Sequence, residues 1–226
     1  EGFENGIPQC WTLIDADGDG HNWMAITDLI SSDASEYVHG GANAAISESY
    51  NNTLGAFNAN NWMITQAIEL PSEGAYLAGW YATSLDSDYP DSYSVYIGTE
   101  PTVAGMTANA AVLSHTANEG DWTLKTIDLS AFAGQTIYIG FNHVGNDNYV
   151  LMIDDFSVFA APSIPEIELT SISIADEATL IAGNITLSGV VTNNGSTLTS
   201  YTVSYTVDGG TAVEYNVSEI NVTWGN

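Results

Sequence analysis

The stretch YVLMIDDFSVF, residues 149–159, predicts the fold class. It is a run of branched, aromatic and long aliphatic side chains around two aspartates, a composition typical of a β-strand. Successive side chains of a strand point to opposite faces. Strict alternation therefore places Leu151, Ile153 and Asp155 on one face, and Met152, Asp154, Phe156 and Val158 on the other.

The same period-two alternation recurs elsewhere in the chain. Every second residue is apolar or aromatic over 93–97 and 137–141, and further strands are predicted at 62–68, 75–81 and 122–129. Long helical periodicity is absent, and Gly, Asn, Asp and Pro separate the candidate strands. Residues 1–161 are therefore expected to form an all-β, antiparallel β-sandwich. Its long loops, at 15–43 and 84–91, are the segments that usually carry function on a β scaffold.

A second unit is predicted over residues 162–226. Pro162 and Pro165 mark a linker, after which short alternating strands follow at regular spacing. The segment Asp208–Gly210 is a hairpin-turn signal, because its residues tolerate positive φ, and Asn193–Gly195 is a second turn. An immunoglobulin-like sandwich needs ~100 residues. This smaller, Ig-like β unit is therefore expected to be truncated, and the chain to be part of a longer multidomain protein.

The charge of the chain excludes several classes of partner. There are 28 acidic residues and one basic residue, Lys125, which gives a net charge of −27. Nothing in such a chain neutralises phosphates, so nucleic acid and anionic lipid are excluded as electrostatic partners. No apolar stretch approaches the ~18 residues of a membrane-spanning helix, so direct membrane insertion is not expected. Uncompensated acid favours binding of a divalent cation, because the cation removes repulsion that opposes folding.

The segment DADGDGH, residues 15–21, is the most informative motif. Asp15, Asp17 and Asp19 occupy positions 1, 3 and 5 of a tight loop, and Gly20 at position 6 permits a sharp turn. This is the first half of an EF-hand-type calcium loop, in which the carbonyl of His21 falls at position 7. The loop predicts a Ca²⁺ site, and the alternative is a solvated acidic turn.

The loop departs from an EF-hand at its end. Position 12 is Ile26, so the bidentate Glu of an EF-hand is missing, and no helical pattern flanks the loop. The remaining ligand must come from elsewhere in the chain. Asp28 is the nearest candidate.

Asp154 and Asp155 form a second candidate site. Because alternation puts them on opposite faces of an apolar strand, one carboxylate is expected to point inward. A lone buried carboxylate is costly unless it is paired or bound to metal. With one Lys and no Arg in the chain, an ion pair is nearly excluded. Calcium and backbone N–H donors both remain open as the compensating partner.

The loop at 84–91 is a third candidate. Asp86, Asp88 and Asp91 surround Tyr89, and the ordinary interpretation of such a segment is a polar loop. A cation site, or a ligand-binding loop that uses Asp88, Tyr89 and Asp91 with the nearby Tyr93, is the functional alternative.

Catalytic motifs are absent from the sequence. The four histidines are scattered without HExxH or another metal spacing, and no GxSxG occurs. Carboxylate pairs suited to glycoside hydrolysis can always be found among 28 acidic residues, so their presence carries almost no weight. Cys10, the only cysteine, excludes an intrachain disulfide, and beside Trp11 it is expected to be a small buried residue.

Five segments in this order resemble the cleaved-adhesin domain of gingipain and haemagglutinin regions and of other surface proteins of Bacteroidetes. They are WTLIDADGDGHNW (11–23), NWMIT (61–65), DSYSVY (91–96), DW (121–122) and IDDF (153–156). The resemblance spans roughly residues 1–160 and implies a jelly-roll β-sandwich, similar to carbohydrate-binding modules, with structural calcium. It places Glu4 and Asp155 near one calcium and the Asp15–Asp19 loop near another. Gln66 departs from it, since relatives commonly have Pro there.

The segments VTNNG (191–195) and VDGG (207–210) resemble bacterial Ig-like modules. The leading functional interpretation is a non-enzymatic, calcium-stabilised adhesin module, secreted or at the cell surface and associated with the outer membrane. It would recognise a host protein or glycan. The alternative is an accessory module that targets or spaces a larger secreted protease or glycosidase. A free-standing glycosidase on a jelly roll is a third class, which the missing catalytic motifs disfavour.

Overall fold

The computed structural model describes residues 1–30, 33–118, 120–162, 167–172, 189–193, 198–206 and 210–222. The chain divides into two compact units, Glu1–Ala160 and Ala161–Asn226. This division falls at the start of the proline-containing linker segment, one residue before the division predicted from sequence.

The first unit consists of β-strands joined by loops and short helical turns. The helical turns are α1 (Ile26–Leu29), α2 (Val103–Met106) and a 3-10 turn (Ser130–Phe132). In chain order the strands are β1 (Thr12–Asp15), β2 (Met24–Ala25), β3 (Ala45–Glu48), β4 (Tyr50–Asn51), β5 (Gly55–Ala56), β6 (Asn58–Ile64), β7 (Ile68–Glu69), β8 (Tyr76–Ser84), β9 (Ser92–Gly98), β10 (Leu113–Thr116), β11 (Thr123–Asp128), β12 (Thr136–Asn146) and β13 (Val150–Ala160).

Two antiparallel sheets make the sandwich. Sheet I has the strand order β1-β6-β12-β9-β10, with β7 also paired to β12, and sheet II has the order β11-β8-β13-β3-β2. Neighbouring strands are mostly distant in sequence, because the chain crosses repeatedly between the sheets. The prediction of an all-β jelly-roll sandwich is confirmed for this unit. Lys125, the single basic residue, lies in β11 opposite Trp80 of β8.

The main core lies between the two sheets. Phe141 of sheet I makes edge-to-face contacts with Trp80 and Phe156 of sheet II, at centroid distances of 5.2 and 5.8 Å. Trp11 packs in the same way on Phe156 and on Phe3, at 5.5 and 5.6 Å. Burial of each such side chain stabilises the fold by roughly 1.5–3 kcal/mol. The period-two apolar positions of the sequence are the ones that meet here.

Smaller apolar clusters cover the outer faces of both sheets. Ile26 of α1 packs with Ile46 and Met152 on the outside of sheet II. Met106 of α2 packs with Trp62 on the outside of sheet I. Strands with cover on both faces need apolar residues on both faces. This explains why apolar residues occur on both faces within residues 149–159.

A β-bulge in β13 overturns the predicted face assignment. The register with β8 shifts between Asp154 and Ser157, and Asp155 has φ 50°, in the left-handed region. An extra residue at a bulge reverses the alternation beyond it. Phe156 therefore joins the core between the sheets, on the same side as Ile153, and Val158 packs against that core. The strict alternation that grouped Phe156 and Val158 with Met152 and Asp154 was wrong.

Cys10 also departs from expectation. Its side chain is exposed, whereas its neighbour Trp11 is buried in the core. The prediction of a buried Cys10 was wrong, because the segment before β1 runs over the surface and inserts only Phe3 and Trp11 fully.

The second unit contains two antiparallel strand pairs within its described residues. β14 (Ile167–Ile172) pairs with β15 (Gly189–Asn193), and β16 (Leu198–Tyr205) pairs with β17 (Val213–Val222). Residues 173–188, where parts of the predicted alternating strands fall, and most of the Asn193–Gly195 and Asp208–Gly210 turns lie outside the described residues. The Ig-like assignment of this unit stays a prediction.

Candidate functional site

The Asp15–Asp19 loop begins where β1 leaves the edge of sheet I. Asp15 is the last residue of β1 and pairs with Asn61 of β6. Gly18 and Gly20 have φ 77° and 88°, which glycine adopts without steric cost. The predicted turn position at Gly20 is therefore a real left-handed turn.

The loop gathers its three carboxylates at one point. Ligand oxygens of Asp15, Asp17 and Asp19 all lie within 4.8 Å of one another. Among the described residues, no other group of three His, Cys, Asp or Glu side chains meets that distance. Asp15 accepts hydrogen bonds from the N–H groups of Gly18 at 2.7 Å and Gly20 at 2.9 Å. The loop backbone thus fixes the Asp15 carboxylate, and the carboxylates of Asp17 and Asp19 lie next to it.

Electrostatics in the loop show uncompensated charge. Partial removal from water, followed by the hydrogen bond with Asp15 and the negative charge of Asp19, raises the pKa of Asp17. The same hydrogen bond from Asp17, with the N–H of Gly20, lowers the pKa of Asp15. A proton shared between two carboxyl groups occupies a position that a cation can take. The donor set, three carboxylates on a tight loop, fits a hard dication such as Ca²⁺.

The side chains of Asp28 and His21, the other residues predicted for this site, do not join the group of three carboxylates. Asp28 is exposed in α1 and accepts a hydrogen bond from the Ala25 N–H at 3.3 Å. His21 donates its backbone N–H to Asp19 at 2.7 Å, and its ring stacks on Phe57 at 4.5 Å. Ile26, at position 12 of the EF-hand pattern, is fully buried in the outer cluster of sheet II.

A second carboxylate cluster, formed by Glu4, Asp154 and Asp155, joins three distant segments. Asp154 of β13 is fully buried and accepts hydrogen bonds from the backbone N–H groups of His39 at 3.1 Å and Gly40 at 3.2 Å. Glu4 accepts from the Ala42 N–H at 2.9 Å. The N-terminal segment is held to β13 beside them, since the Phe156 N–H donates to the Glu1 carbonyl at 3.0 Å. The cluster therefore links residues 1–4 and 39–42 to the centre of sheet II.

Glycines let the three carboxylates approach the backbone. A Cβ added at Gly41, where φ is 66°, would lie 1.6 Å from Oε1 of Glu4. A Cβ at Gly2 would lie 3.1 Å from Oδ1 of Asp155, and one at Gly40 would lie 3.0 Å from Oδ2 of Asp155. The carboxylates thus occupy a cradle that side chains at these positions would fill.

Hydrogen bonds with the segment around His39 partly satisfy the carboxylates of this cluster. The Oδ2 atom of Asp155 lies 2.8 Å from Nδ1 of His39, whose ring stacks on Tyr81 at 3.5 Å. Burial raises the pKa of Asp154 to about 6, although N–H donors from Asp155, Gly40 and His39 act to lower it. Asp154 is the buried member of the pair, a point that alternation left open, and it lies with Met152 on the outer face of sheet II, covered by residues 39–40. The left-handed turn at Asp155 brings its carboxylate toward the same glycines.

The third candidate region places Asp91 in the interior. Asp91 is fully buried and accepts hydrogen bonds from Ser49 Oγ at 2.9 Å, Asn148 Nδ2 at 3.3 Å and the Tyr149 N–H at 3.2 Å. Its Oδ1 lies 3.0 Å from Nε2 of the buried His143, although the two atoms are not aligned for a hydrogen bond. Asp91 therefore connects residue 49 and residues 148–149 through hydrogen bonds in the interior, and it does not face solvent.

A cavity of about 510 Å³ lies above this buried network. We call it the tyrosine cleft. Tyr89 is 56% exposed at its edge, whereas Asp88 is exposed outside its walls. Sequence reasoning missed most of its walls, although the polar and aromatic segments at 50–52 and 147–149 were a readable signal. The lining residues are Tyr50, Asn52, Asp86, Tyr89, Asp147, Asn148 and Tyr149.

Comparison with known proteins identifies the first unit. Residues 1–158 match the family described as Cleaved Adhesin Domain, which covers more than half of the chain. The chain belongs to this family. Relatives of this cleaved adhesin domain include hemagglutinin A of Porphyromonas gingivalis, 34% identical over 177 residues, and Lys-gingipain W83 of the same organism, 33% identical over 182 residues.

Solved structures of cleaved adhesin domains share the fold. The K3 domain of Lys-gingipain from Porphyromonas gingivalis W83 is 32% identical with a TM-score of 0.60, covering 70% of this chain and 94% of that domain. The K1 domain is 30% identical with the same TM-score, covering 71% and 96%. These matches confirm the family that the five sequence segments resemble.

The curated relatives are much longer than this chain. The matched region covers 71% of this chain but 6% of hemagglutinin A, and 72% of this chain but 10% of Lys-gingipain W83. Cleaved adhesin domains of this kind are therefore modules within larger proteins. Among the residues that the structure describes, no helix is long and apolar enough to cross a membrane.

Proposed function

We propose that the first unit is a non-enzymatic, calcium-stabilised adhesin module, secreted or at the cell surface, that recognises a host protein or glycan. Membership of the cleaved adhesin family over residues 1–158 is the observation that carries the adhesin role. The parent protein would be a longer multidomain chain associated with the outer membrane.

Calcium at the Asp15–Asp19 loop is the first component of this proposal. Three carboxylates within 4.8 Å of one another, with a raised pKa at Asp17, supply oxygen ligands and surplus negative charge. Ca²⁺ accepts six to eight oxygen ligands in flexible geometry, so the carbonyl of His21 and water would complete its shell. Asp28 accepts the Ala25 N–H with Oδ2 alone, so its other oxygen remains available as an acceptor.

A second calcium beside Glu4 and Asp155 is the further component. The glycine cradle and the raised pKa of Asp154 support it, because a dication would offset the cost of burying these carboxylates. The N–H donors of residues 39–42 supply the competing explanation, in which hydrogen bonds alone satisfy the cluster. Metal content of the Asp17→Ala variant, purified without chelator, separates the two: calcium that is retained in this variant supports the second site, and a variant free of metal opposes it.

The runner-up function is an accessory module of a larger secreted protease or glycosidase. The relatives named Lys-gingipain and Gingipain R1 favour this alternative. The two functions differ in what the module does alone. An adhesin binds its surface without a catalytic partner, whereas an accessory module acts by changing how an attached enzyme uses its substrate.

The test of the adhesin role is a binding screen with the 226-residue chain. Arrays of host matrix proteins and glycans are probed in millimolar calcium and in chelator, and chromogenic peptide and glycoside substrates are tested in parallel. We expect calcium-dependent retention and no turnover. Hydrolysis that is lost when one carboxylate is replaced, or the absence of any retained protein or glycan, contradicts the proposal.

A further inference from the structure

We propose that the tyrosine cleft binds an uncharged oligosaccharide. This inference rests on the proposed adhesin function and narrows its ligand to a neutral glycan. Four features of the cleft support it: the aromatic walls, the polar rim, the negative charge and the buried hydrogen-bond network beneath.

Three tyrosines supply the aromatic walls. The rings of Tyr50 and Tyr149 lie tilted beside each other, with a centroid distance of 6.4 Å and 56° between their planes, and Tyr89 is an exposed third lining residue. Each tyrosine offers a flat apolar face together with a hydroxyl group that stays wet. A pyranose ring has the matching surfaces, because one face is lined by C–H bonds and its rim by hydroxyls.

Two asparagines and two aspartates supply the polar rim. The amides of Asn52 and Asn148 both donate and accept, and the carboxylates of Asp86 and Asp147 accept from hydroxyl groups. A sugar hydroxyl likewise donates and accepts, so it can pair with either kind of side chain. A volume of about 510 Å³ falls within the ~300–1,000 Å³ typical of small-ligand sites.

The charge of the cleft selects against acidic sugars. Its walls carry two carboxylates and no Lys, Arg or His, within a chain of net charge −27. A sialylated or sulfated glycan would meet repulsion with no basic group to bind its anion. The ligand is therefore a neutral glycan.

Asp91 holds the walls in position before a ligand arrives. It accepts from the Asn148 side chain and the Tyr149 N–H, and it binds Ser49, whose Oγ in turn accepts from the Asn148 N–H at 3.3 Å. The Ser49 N–H donates to the Tyr149 carbonyl at 3.0 Å. A site whose backbone is fixed in advance loses less entropy on binding.

A second cavity neighbours the cleft. It has about 500 Å³ and shares Asn52 and Tyr149 with the tyrosine cleft, and its other lining residues include Tyr37 and Leu85. Two neighbouring cavities of this size suit consecutive sugar units of one chain. The proposed ligand is therefore an oligosaccharide and not a single monosaccharide.

A basic peptide is the competing occupant. Aromatic faces and carboxylates can hold a Lys or Arg head group. One such head group fills only a small part of 510 Å³, whereas a sugar unit with its hydroxyls matches both the tyrosine faces and the polar rim. The volume and the mixed aromatic and polar lining thus favour the glycan.

The experiment uses the 226-residue chain in calcium on an array of neutral, sialylated and sulfated oligosaccharides and Lys/Arg-rich peptides. The strongest neutral binder is then titrated by calorimetry in 0.1 and 0.5 M salt. Tyr89→Ala removes one exposed wall and should weaken binding about tenfold, the effect expected for loss of one aromatic stack. Tyr215→Ala, at a 69% exposed tyrosine of the second unit, is the matched control and should leave affinity unchanged.

Each outcome is decisive for this proposal. Retention of neutral glycans, with salt-independent affinity that falls in Tyr89→Ala and not in Tyr215→Ala, supports it. Preference for acidic glycans, retention of basic peptides with salt-sensitive affinity, or equal binding by the two variants overturns it. If the chain binds a host protein on the screen but no neutral glycan, the cleft proposal fails while the adhesin role stands.

Discussion

The two carboxylate groups of the sandwich differ in how the chain assembles them. The Asp15–Asp19 loop takes its carboxylates from five consecutive residues at the surface, and its own backbone folds around them. The cluster of Glu4, Asp154 and Asp155 takes its carboxylates from the two ends of the unit and holds residues 39–42 between them. The loop can therefore open locally, whereas the cluster cannot open without releasing parts of the fold. This predicts a regional effect for changes in the loop and a global effect for changes in the cluster.

Replacement of Asp154 is expected to have the largest effect. Asp154→Ala removes the fully buried carboxylate that accepts, through partly buried hydrogen bonds, from the N–H groups of His39, Gly40 and Asp155. Because three donors lose their acceptor, and an unsatisfied donor costs about 1–3 kcal/mol when buried and less when water reaches it, we expect the free energy of unfolding to fall by ~2–5 kcal/mol in urea denaturation. Asp154→Asn keeps an acceptor oxygen, so its free energy of unfolding should fall clearly less than that of Asp154→Ala. Asp88→Ala, at an exposed carboxylate, is the control. Equal stability of Asp154→Ala and Asp88→Ala would show that the cluster is not structural.

Calcium is expected to have the next largest effect. An ion that binds only the folded loop stabilises it by about 2.7 kcal/mol at a hundredfold excess over Kd. Each kcal/mol shifts Tm by ~2–4 °C for a chain of this size, so a rise of ~5–10 °C over the chelated protein is expected. Magnesium should do less, since it demands a compact octahedral shell.

Asp17→Ala is the matched variant for the calcium experiment. It should abolish most of the shift, because it removes the central carboxylate of the loop. An unchanged Tm in chelator and calcium, for protein shown to be metal-free by elemental analysis, would end the calcium proposal. If the calcium-dependent rise in Tm is retained in Asp17→Ala, the calcium site is instead the cluster of Glu4, Asp154 and Asp155.

Two glycines allow a closer comparison of the regions. Gly18 and Gly41 both have positive φ, at 77° and 66°, so alanine is strained at each position. A Cβ at Gly18 meets nothing within 4 Å, whereas one at Gly41 displaces the Glu4 carboxylate from the Ala42 N–H. We expect Gly18→Ala to cost about 1 kcal/mol and Gly41→Ala to cost ~1–2 kcal/mol. Thermal melts of both variants check this order. A larger loss of stability in Gly18→Ala than in Gly41→Ala would show that the contact of Glu4 with the Ala42 N–H does not contribute to the stability of the cluster.

Glu48, a carboxylate outside both regions, is expected to give the smallest change in Tm and serves as a reference for the other variants. Burial raises the pKa of Glu48 in β3, although a hydrogen bond from Asn51 acts to lower it. A carboxyl whose pKa is raised by folding stabilises the fold while it is protonated, and that contribution is lost as pH rises through its folded pKa. Glu48→Gln should therefore raise Tm at pH 7 and change it little at pH 4. A rise that is equal at both values would exclude ionisation as the cause.

The local features of the molecule were predictable from the sequence. Period-two alternation located the strands around Tyr93 and Phe141, because a half-buried strand requires it. The Asp15–Asp19 loop was readable because all its carboxylates lie within one turn. The prediction from alternation failed at Asp155, where a β-bulge exchanges the two faces of the strand. No residue type in this segment indicates a bulge.

The long-range features were not predictable. Asp91 sits in a polar loop by sequence, but Ser49, His143 and Asn148 come from distant segments and bury it. The tyrosine cleft is assembled in the same way from the segments around Tyr50, Tyr89 and Tyr149. The cleft exists because the crossings between the two sheets bring these three loops together at one end of the sandwich. The proximity of such loops cannot be read from a single sequence.

The position of Lys125 has a consequence for the survival of the chain among proteases. Trypsin and other enzymes that cut after Lys or Arg can cleave this chain of 226 residues at one peptide bond only. That bond lies within β11, where residues 123–128 pair with β8. A protease must accept an extended, unpaired segment, so cleavage there requires local unfolding at the edge of sheet II. The near absence of basic residues, which leaves the surface so acidic, also makes the folded chain a poor substrate for an entire class of proteolytic enzymes.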